Sequence, residues 1–130
     1  MTSLKRISSA LLLALCASCD SPTGSQDRSV FMVVPEQVTL GSLARGRLIN
    51  QSGDVLHIGG FPCGMRTDRQ SEAGWTEVPG SGNECPQPDF TLADGAEYGF
   101  GFRAPAATGT FRLRTFSEGD SVFSNVFTVQ

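Results

Sequence analysis

Histidine, tryptophan and tyrosine each occur once in this 130-residue chain, and cysteine occurs four times. A lone histidine, His57, excludes the two-histidine, one-cysteine set of a blue-copper centre. Cys63 and Met65 therefore read as structural cysteine and gap-filling methionine. Ser52, Ser71 and Ser81 sit among turn residues, and none lies in a Gly-x-Ser-x-Gly elbow. No two carboxylates stand at a spacing that fixes them together for glycosidase-like chemistry. No catalytic residue, metal site or cofactor is expected. Basic side chains are also scarce, ten against thirteen acidic ones for a net charge of −3, which gives no electrostatic reason to bind nucleic acid. After residue 19 no stretch keeps a helical period.

The first residues have a different character. Lys5 and Arg6 precede the apolar stretch Ala10-Leu11-Leu12-Leu13-Ala14-Leu15, and small residues follow up to Cys19. The apolar stretch is too short for a spanning helix, which needs about 20 residues. A positive flank, a short apolar core and small residues before a cut describe a secretory signal peptide over residues 1–18. Cys16-Ala17-Ser18-Cys19 resembles the lipobox of bacterial lipoproteins, with Leu15 one place earlier than the usual leucine. The resemblance implies that Cys19 becomes the lipidated N-terminus of the mature chain and ties it to a membrane of the bacterial cell envelope. An ordinary signal peptidase would accept the same bond without lipidation.

Cysteine arithmetic separates the two outcomes. Cleavage removes Cys16 and leaves Cys19, Cys63 and Cys85, an odd number for an exported chain. Lipidation of Cys19 uses the odd thiol and leaves Cys63 and Cys85 to form a disulfide. That bridge closes 23 positions, worth roughly 3 kcal/mol by the chain-entropy model. Loss of Lys5 and Arg6 leaves eight basic side chains against thirteen acidic ones, a mature charge of −5. Residues 19–29 carry the lipidated N-terminus and a polar, breaker-rich tether reaching roughly 15 to 20 Å.

From Val30 to Gln130 the chain alternates short apolar runs with turn residues, helped by fifteen glycines and seven prolines. Val30 to Val34 reads as a strand stopped by Pro35. Val38 to Asn50 reads as one strand, with Leu40 and Leu48 in the core. Asn50-Gln51-Ser52-Gly53-Asp54 is a turn, followed by strands at Val55 to Ile58 and Gly74 to Val78. Tyr98, Phe100 and Phe102 alternate with Gly99, Gly101 and Arg103, and Phe111 and Leu113 alternate with Arg112 and Arg114, the period of half-buried strands. Val122 to Val129 closes the domain, with Phe127 and Val129 inward. The fold class expected is all-β, an antiparallel immunoglobulin-like β-sandwich of about seven strands over residues 30–130.

The Asn50-x-Ser52-Gly53 turn, Cys63, Trp75, Cys85-Pro86, the Gly95 turn, Gly109-x-Phe111-Arg112-Leu113 and Ser124-Asn125-x-Phe127-x-Val129 occur in order. The set resembles bacterial envelope proteins with one immunoglobulin-like domain. It is also similar in outline to the bacterial intracellular proteinase inhibitor family, which implies the same fold and, as a second possibility, inhibition of a proteinase.

Two surfaces compete as a site. Arg45 with Arg47, and Arg112 with Arg114, would form a basic patch if their faces adjoined. The plainer reading is charge that protects exposed sheet faces. The segment from Arg66 to Gln87 reads as a long loop stapled at its ends, and binding residues concentrate on such loops. Arg66, Arg69, Trp75 and Gln87 are its candidate contacts, with a protein or glycan as partner and the membrane held through the lipid on Cys19. A structural envelope lipoprotein without a ligand is the remaining class. Metabolic labelling with an azido fatty acid should tag the chain and lose the tag in Cys19→Ala; absence of label would leave a soluble secreted domain.

Overall fold

The computed structural model describes residues 29–82 and 88–130. The leader, Cys19, the tether at 19–28, Cys85 and Gln87 lie outside the described residues. Among the described residues there is no helix, and the strands are β1 Val30–Val33, β2 Gln37–Val38, β3 Leu43–Asn50, β4 Leu56–Ile58, β5 Arg66–Ser71, β6 Gly74–Glu77, β7 Phe90–Leu92, β8 Glu97–Arg103, β9 Gly109–Ser117, β10 Asp120–Phe123 and β11 Phe127–Val129.

They form two layers. The smaller sheet has the order β1-β3-β8, and the larger runs β2-β11-β9-β5-β6, with β10 beside β9. The chain starts in one layer at β1 and crosses to the other at β2, which lies parallel to β11. That switch, with β5 and β9 adjacent in one sheet and β3 and β8 in the other, is the immunoglobulin-like arrangement. A third ladder, β4–β7, adds Leu56, Ile58 and Leu92 to the same core.

The period-2 patterns set which faces meet. Met32, Leu48, Phe100 and Phe102 from the smaller sheet are buried against Phe111, Leu113, Phe127 and Val129 from the larger. A row of rings runs through the interior, Phe61–Phe100 at 5.0 Å, Phe100–Phe102 at 6.2 Å, Phe102–Phe127 at 5.8 Å and Phe127–Phe111 at 6.1 Å. Burying such a side chain contributes about 1.5 to 3 kcal/mol. Gly46 is the close-approach point: a Cβ there would stand 2.5 Å from Phe100 Cζ. Buried Asn50 ties one end together. Its Nδ2 donates to the carbonyls of Asp54 and Leu92, both at 2.8 Å, while its Oδ1 accepts from the Ser52 N–H and hydroxyl.

The structure corrects three expectations. Val38 to Asn50 is two strands, because residues 39–42 turn through Gly41 at φ 67° and leave Leu40 44% exposed instead of in the core. The segment from Arg66 is no loop: Arg66–Ser71 and Gly74–Glu77 are a hairpin paired into the larger sheet. Val122 to Val129 is interrupted between β10 and β11. There Asn125 turns aside, its Oδ1 accepting from the Val34 N–H at 2.8 Å and its Nδ2 donating to the Val34 carbonyl at 3.0 Å. Phe90–Leu92, for which the sequence carries no strand signal of its own, forms β7.

Candidate functional site

The outward face of the larger sheet is built by register. On β5, Arg66, Asp68 and Gln70 point one way and Thr67 and Arg69 the other, because strand side chains alternate. Arg66 lies opposite Arg114, and Asp68 lies opposite both Arg112 on β9 and Glu77 on β6. Gln70 faces Trp75, and on the far side of β9 Phe123 of β10 faces Arg114. Cross-strand neighbours on one face stand about 4.5 to 5.5 Å apart at Cβ, so these side chains must interact.

They form one chain of charge. Arg66 Nη1 donates to Glu77 Oε1 at 2.8 Å, and Arg114 Nη2 donates to the same oxygen at 2.8 Å and to Asp68 Oδ1 at 3.2 Å. Arg112 Nε donates to Asp68 Oδ2 at 3.1 Å. Asp68 is 3% exposed, so its charge is held almost wholly by these two guanidinium groups. Arg112 and Arg114 are themselves largely covered, not standing free in water as their alternation with Phe111 and Leu113 suggested. The Nε of Arg114 is buried and meets no acceptor among the described residues.

Above this network the Arg112 guanidinium carbon lies 4.4 Å from the Trp75 ring centroid and 4.1 Å from that of Phe123. A cation over a ring face is attracted by the ring quadrupole, by about 0.5 to 2 kcal/mol depending on exposure. Arg114 lies 5.3 Å from the Phe116 ring. Phe116 and Phe123 are 42% and 38% exposed. The result is a sheet face of three arginines, two carboxylates and three aromatic rings. Within it, the Glu77 carboxyl is shifted. The hydrogen bond from Arg66, reinforced by the charges of Arg66 and Arg114, lowers its carboxyl pKa against the opposing effect of desolvation. With a lowered folded-state pKa, Glu77 contributes stability present above the ordinary carboxylate range and lost as pH falls below it.

Of the expected contacts, Arg66 and Trp75 share this face. Arg69 does not: it lies over Phe111 on the other side of β5, 5.7 Å from the ring, and donates to the Thr108 carbonyl at 3.1 Å. There it lines a cleft of about 540 Å³ with Pro79, Arg103 and Ala107. Gln87 lies outside the described residues. Cys63, just before β5, is disulfide-bonded; Cys85, its expected mate, lies outside the described residues. Asp68, Glu77 and Phe123 escape sequence reasoning as site residues, although the spacing of Arg66, Asp68 and Gln70 carries the period-2 signal.

The four-arginine patch does not form. Arg45 and Arg47 lie on the outward face of the smaller sheet, the opposite side of the sandwich from Arg112 and Arg114. Arg47 is instead paired with Glu97 at 2.9 Å. His57 is exposed between buried Leu56 and Ile58. Among the described residues no group of three or more His, Cys, Asp or Glu side chains is arranged to hold a metal, and no helix is long and apolar enough to cross a membrane.

No family model and no curated protein matches the sequence. Among solved structures, the chain is similar to the sulfur carrier protein SoxY from Chlorobium limicola f thiosulfatophilum, at 12% identity and a TM-score of 0.37 over 78% of this chain and 73% of that one. A likeness this distant says nothing of what the present chain binds.

Asp68→Asn keeps the shape of the site but removes the charge shared by Arg112 and Arg114. It should cost about 2 to 4 kcal/mol, a fall in Tm of about 10 °C or more. Arg112→Gln leaves Asp68 with Arg114 and should cost clearly less. Thermal and urea denaturation read both, and equal small losses would show that the network is not a support of the sheet.

Proposed function

We propose that the chain is a non-catalytic interaction module, held at a bacterial envelope membrane through lipid on Cys19, whose outward β5-β6-β9-β10 face takes a protein partner. The observation that carries this reading is the Trp75–Arg112–Phe123 stack. Trp and Arg are enriched among the few residues that dominate binding energy. A guanidinium held between two rings and fixed below by a carboxylate has already lost much of its freedom, so covering it costs little further entropy. The residues lie across the outer side of three paired strands and β10, a layout that suits the broad surface of a protein better than the concave sites of small molecules. The anchor rests on the lipobox-like Cys16-Ala17-Ser18-Cys19, and pairing of Cys63 with Cys85 rests on the cysteine count and export. Proteinase inhibition, the second possibility, rests on the family resemblance; an inhibitor presents an exposed loop, and here Arg66–Ser71 and Gly74–Glu77 are paired strands.

The test uses a photoreactive phenylalanine analogue placed at Phe123, or at Arg45 on the opposite sheet, in cells making the full chain. A discrete protein adduct should form from position 123 and not from 45. It should weaken about tenfold or more when Trp75→Ala or Arg112→Ala is added, as hot-spot truncations do. Equal adducts from both positions, or none from 123, would remove this face as the contact. Co-sedimentation with isolated peptidoglycan that depends on Trp75 would change the partner class to a glycan.

A further inference from the structure

Strand β8 is an edge of the smaller sheet: among the described residues it pairs with β3 and with nothing else. The register fixes which of its backbone groups that pairing uses. Leu48 lies opposite Tyr98, Gly46 opposite Phe100 and Ala44 opposite Phe102. Flanking these, the Ala104 N–H donates to the Ser42 carbonyl and the Asn50 N–H to the Ala96 carbonyl, both in the same register. Even-numbered residues of β8 therefore turn their N–H and C=O groups toward β3. In an antiparallel ladder the alternate residues direct theirs to the other side. Glu97, Gly99, Gly101 and Arg103 thus present theirs along the open edge.

The sequence of that edge, Glu97-Tyr98-Gly99-Phe100-Gly101-Phe102-Arg103, is complementary to itself when reversed. A second copy laid antiparallel about a two-fold axis at Phe100 brings Glu97 opposite Arg103, Tyr98 opposite Phe102 and Gly99 opposite Gly101. Each pair that bears free backbone groups meets another that does, so the hydrogen-bond alternation is met at every position. Both ends bring opposite charges together on one face, a favourable cross-strand pairing. Sliding the second copy by two residues either way loses both charge pairs. Glu97 already accepts from Arg47, and a carboxylate with two oxygens has capacity for a second guanidinium. Arg103 donates one N–H to the Gly41 carbonyl and keeps others. Tyr98, 38% exposed, would come to lie beside the strand of the second copy at Phe102.

The two glycines support the same conclusion by contrast with Gly46. A Cβ at Gly99 would meet nothing within 4 Å, and one at Gly101 only the Ala44 carbonyl oxygen at 3.9 Å; neither has a positive φ. Nothing within the chain requires glycine there, although glycine weakens a strand and often marks close approach of another backbone.

We propose that two copies of this chain associate through antiparallel pairing of their β8 edges, making one continuous six-stranded sheet with the order β1-β3-β8-β8-β3-β1. The association is isologous and closed, so it ends at the dimer. It uses the sheet opposite to the aromatic–arginine face and leaves that face open.

Sedimentation velocity of the full chain in non-ionic detergent, corrected for bound detergent, should give twice the monomer mass at micromolar protein. Glu97→Arg and Arg103→Glu should each weaken association about tenfold or more, since each sets like charges opposite one another. Mixing the two variants should restore a dimer, because one copy then carries positive charge at both ends of its β8 edge and the other negative charge at both. Circular dichroism of each variant separates loss of association from loss of fold, and recovery on mixing identifies a folded variant directly. A wild-type chain that stays monomeric to millimolar concentration overturns the proposal. So does a dimer unaffected by both reversals, or a mixture of folded variants that stays monomeric.

Discussion

A carboxylate buried beneath two guanidinium groups governs the larger sheet. A buried, unpaired Asp68 would cost several kcal/mol, and the register of β5 against β9 removes that cost by placing Arg112 and Arg114 within 3.2 Å. A shift of β5 by one residue would turn Asp68 inward and Thr67 and Arg69 outward, because side chains alternate faces. The ion pairs therefore fix register where few apolar side chains do so, since β5 has no aliphatic or aromatic residue. The same contacts immobilise Arg112, and Trp75 of β6 and Phe123 of β10 close over it from either side. Pairing in the hairpin, packing of the rings and the chemistry of the exposed face thus have one origin.

The two layers have opposite constructions. In the smaller sheet the ring of Phe100 occupies the space above Gly46, and the core faces of β3 and β8 interlock. Its outward face carries glycine and arginine and exposes backbone at the β8 edge. The larger sheet is cross-linked on its outside by charge and aromatic contact, and its edge at β6 is a short strand beside a charged row. One layer is suited to being extended by a strand, the other to being covered by a surface. Both can be used together, because their outward sides face away from each other.

How much of this is legible in the sequence follows from what each strand buries. Strands β8 and β9 announce themselves because Phe100, Phe102, Phe111 and Leu113 recur every second residue beside small or charged ones. The Asn50 turn is legible for its residue types, although its depth is not: Asn50 is completely buried and joins three segments. The β5–β6 hairpin is hidden because Arg-Thr-Asp-Arg-Gln-Ser has no apolar alternation, and its pairing is decided by distant Arg112 and Arg114. The break after β10 is hidden because its cause, Asn125 bonding to both backbone groups of Val34, joins residues 91 positions apart. Leu40 reads as core by type but sits at a turn whose geometry Gly41 sets. The candidate site is half legible: Arg66 and Trp75 belong to it, whereas Arg69 lies on the wrong face of the strand, as its odd spacing from Arg66 dictates.

The exposed face depends on one side chain, Arg112, being held still. The Nε–H of Arg112 can be followed by heteronuclear NMR in the folded chain. Fixed between Trp75 and Phe123 and bonded to Asp68, its resonance should be displaced by ring currents from that of a free arginine, and its exchange with water should be slow. A signal at the free-arginine position with rapid exchange would contradict the stack, and with it the preordered surface on which the functional reading depends.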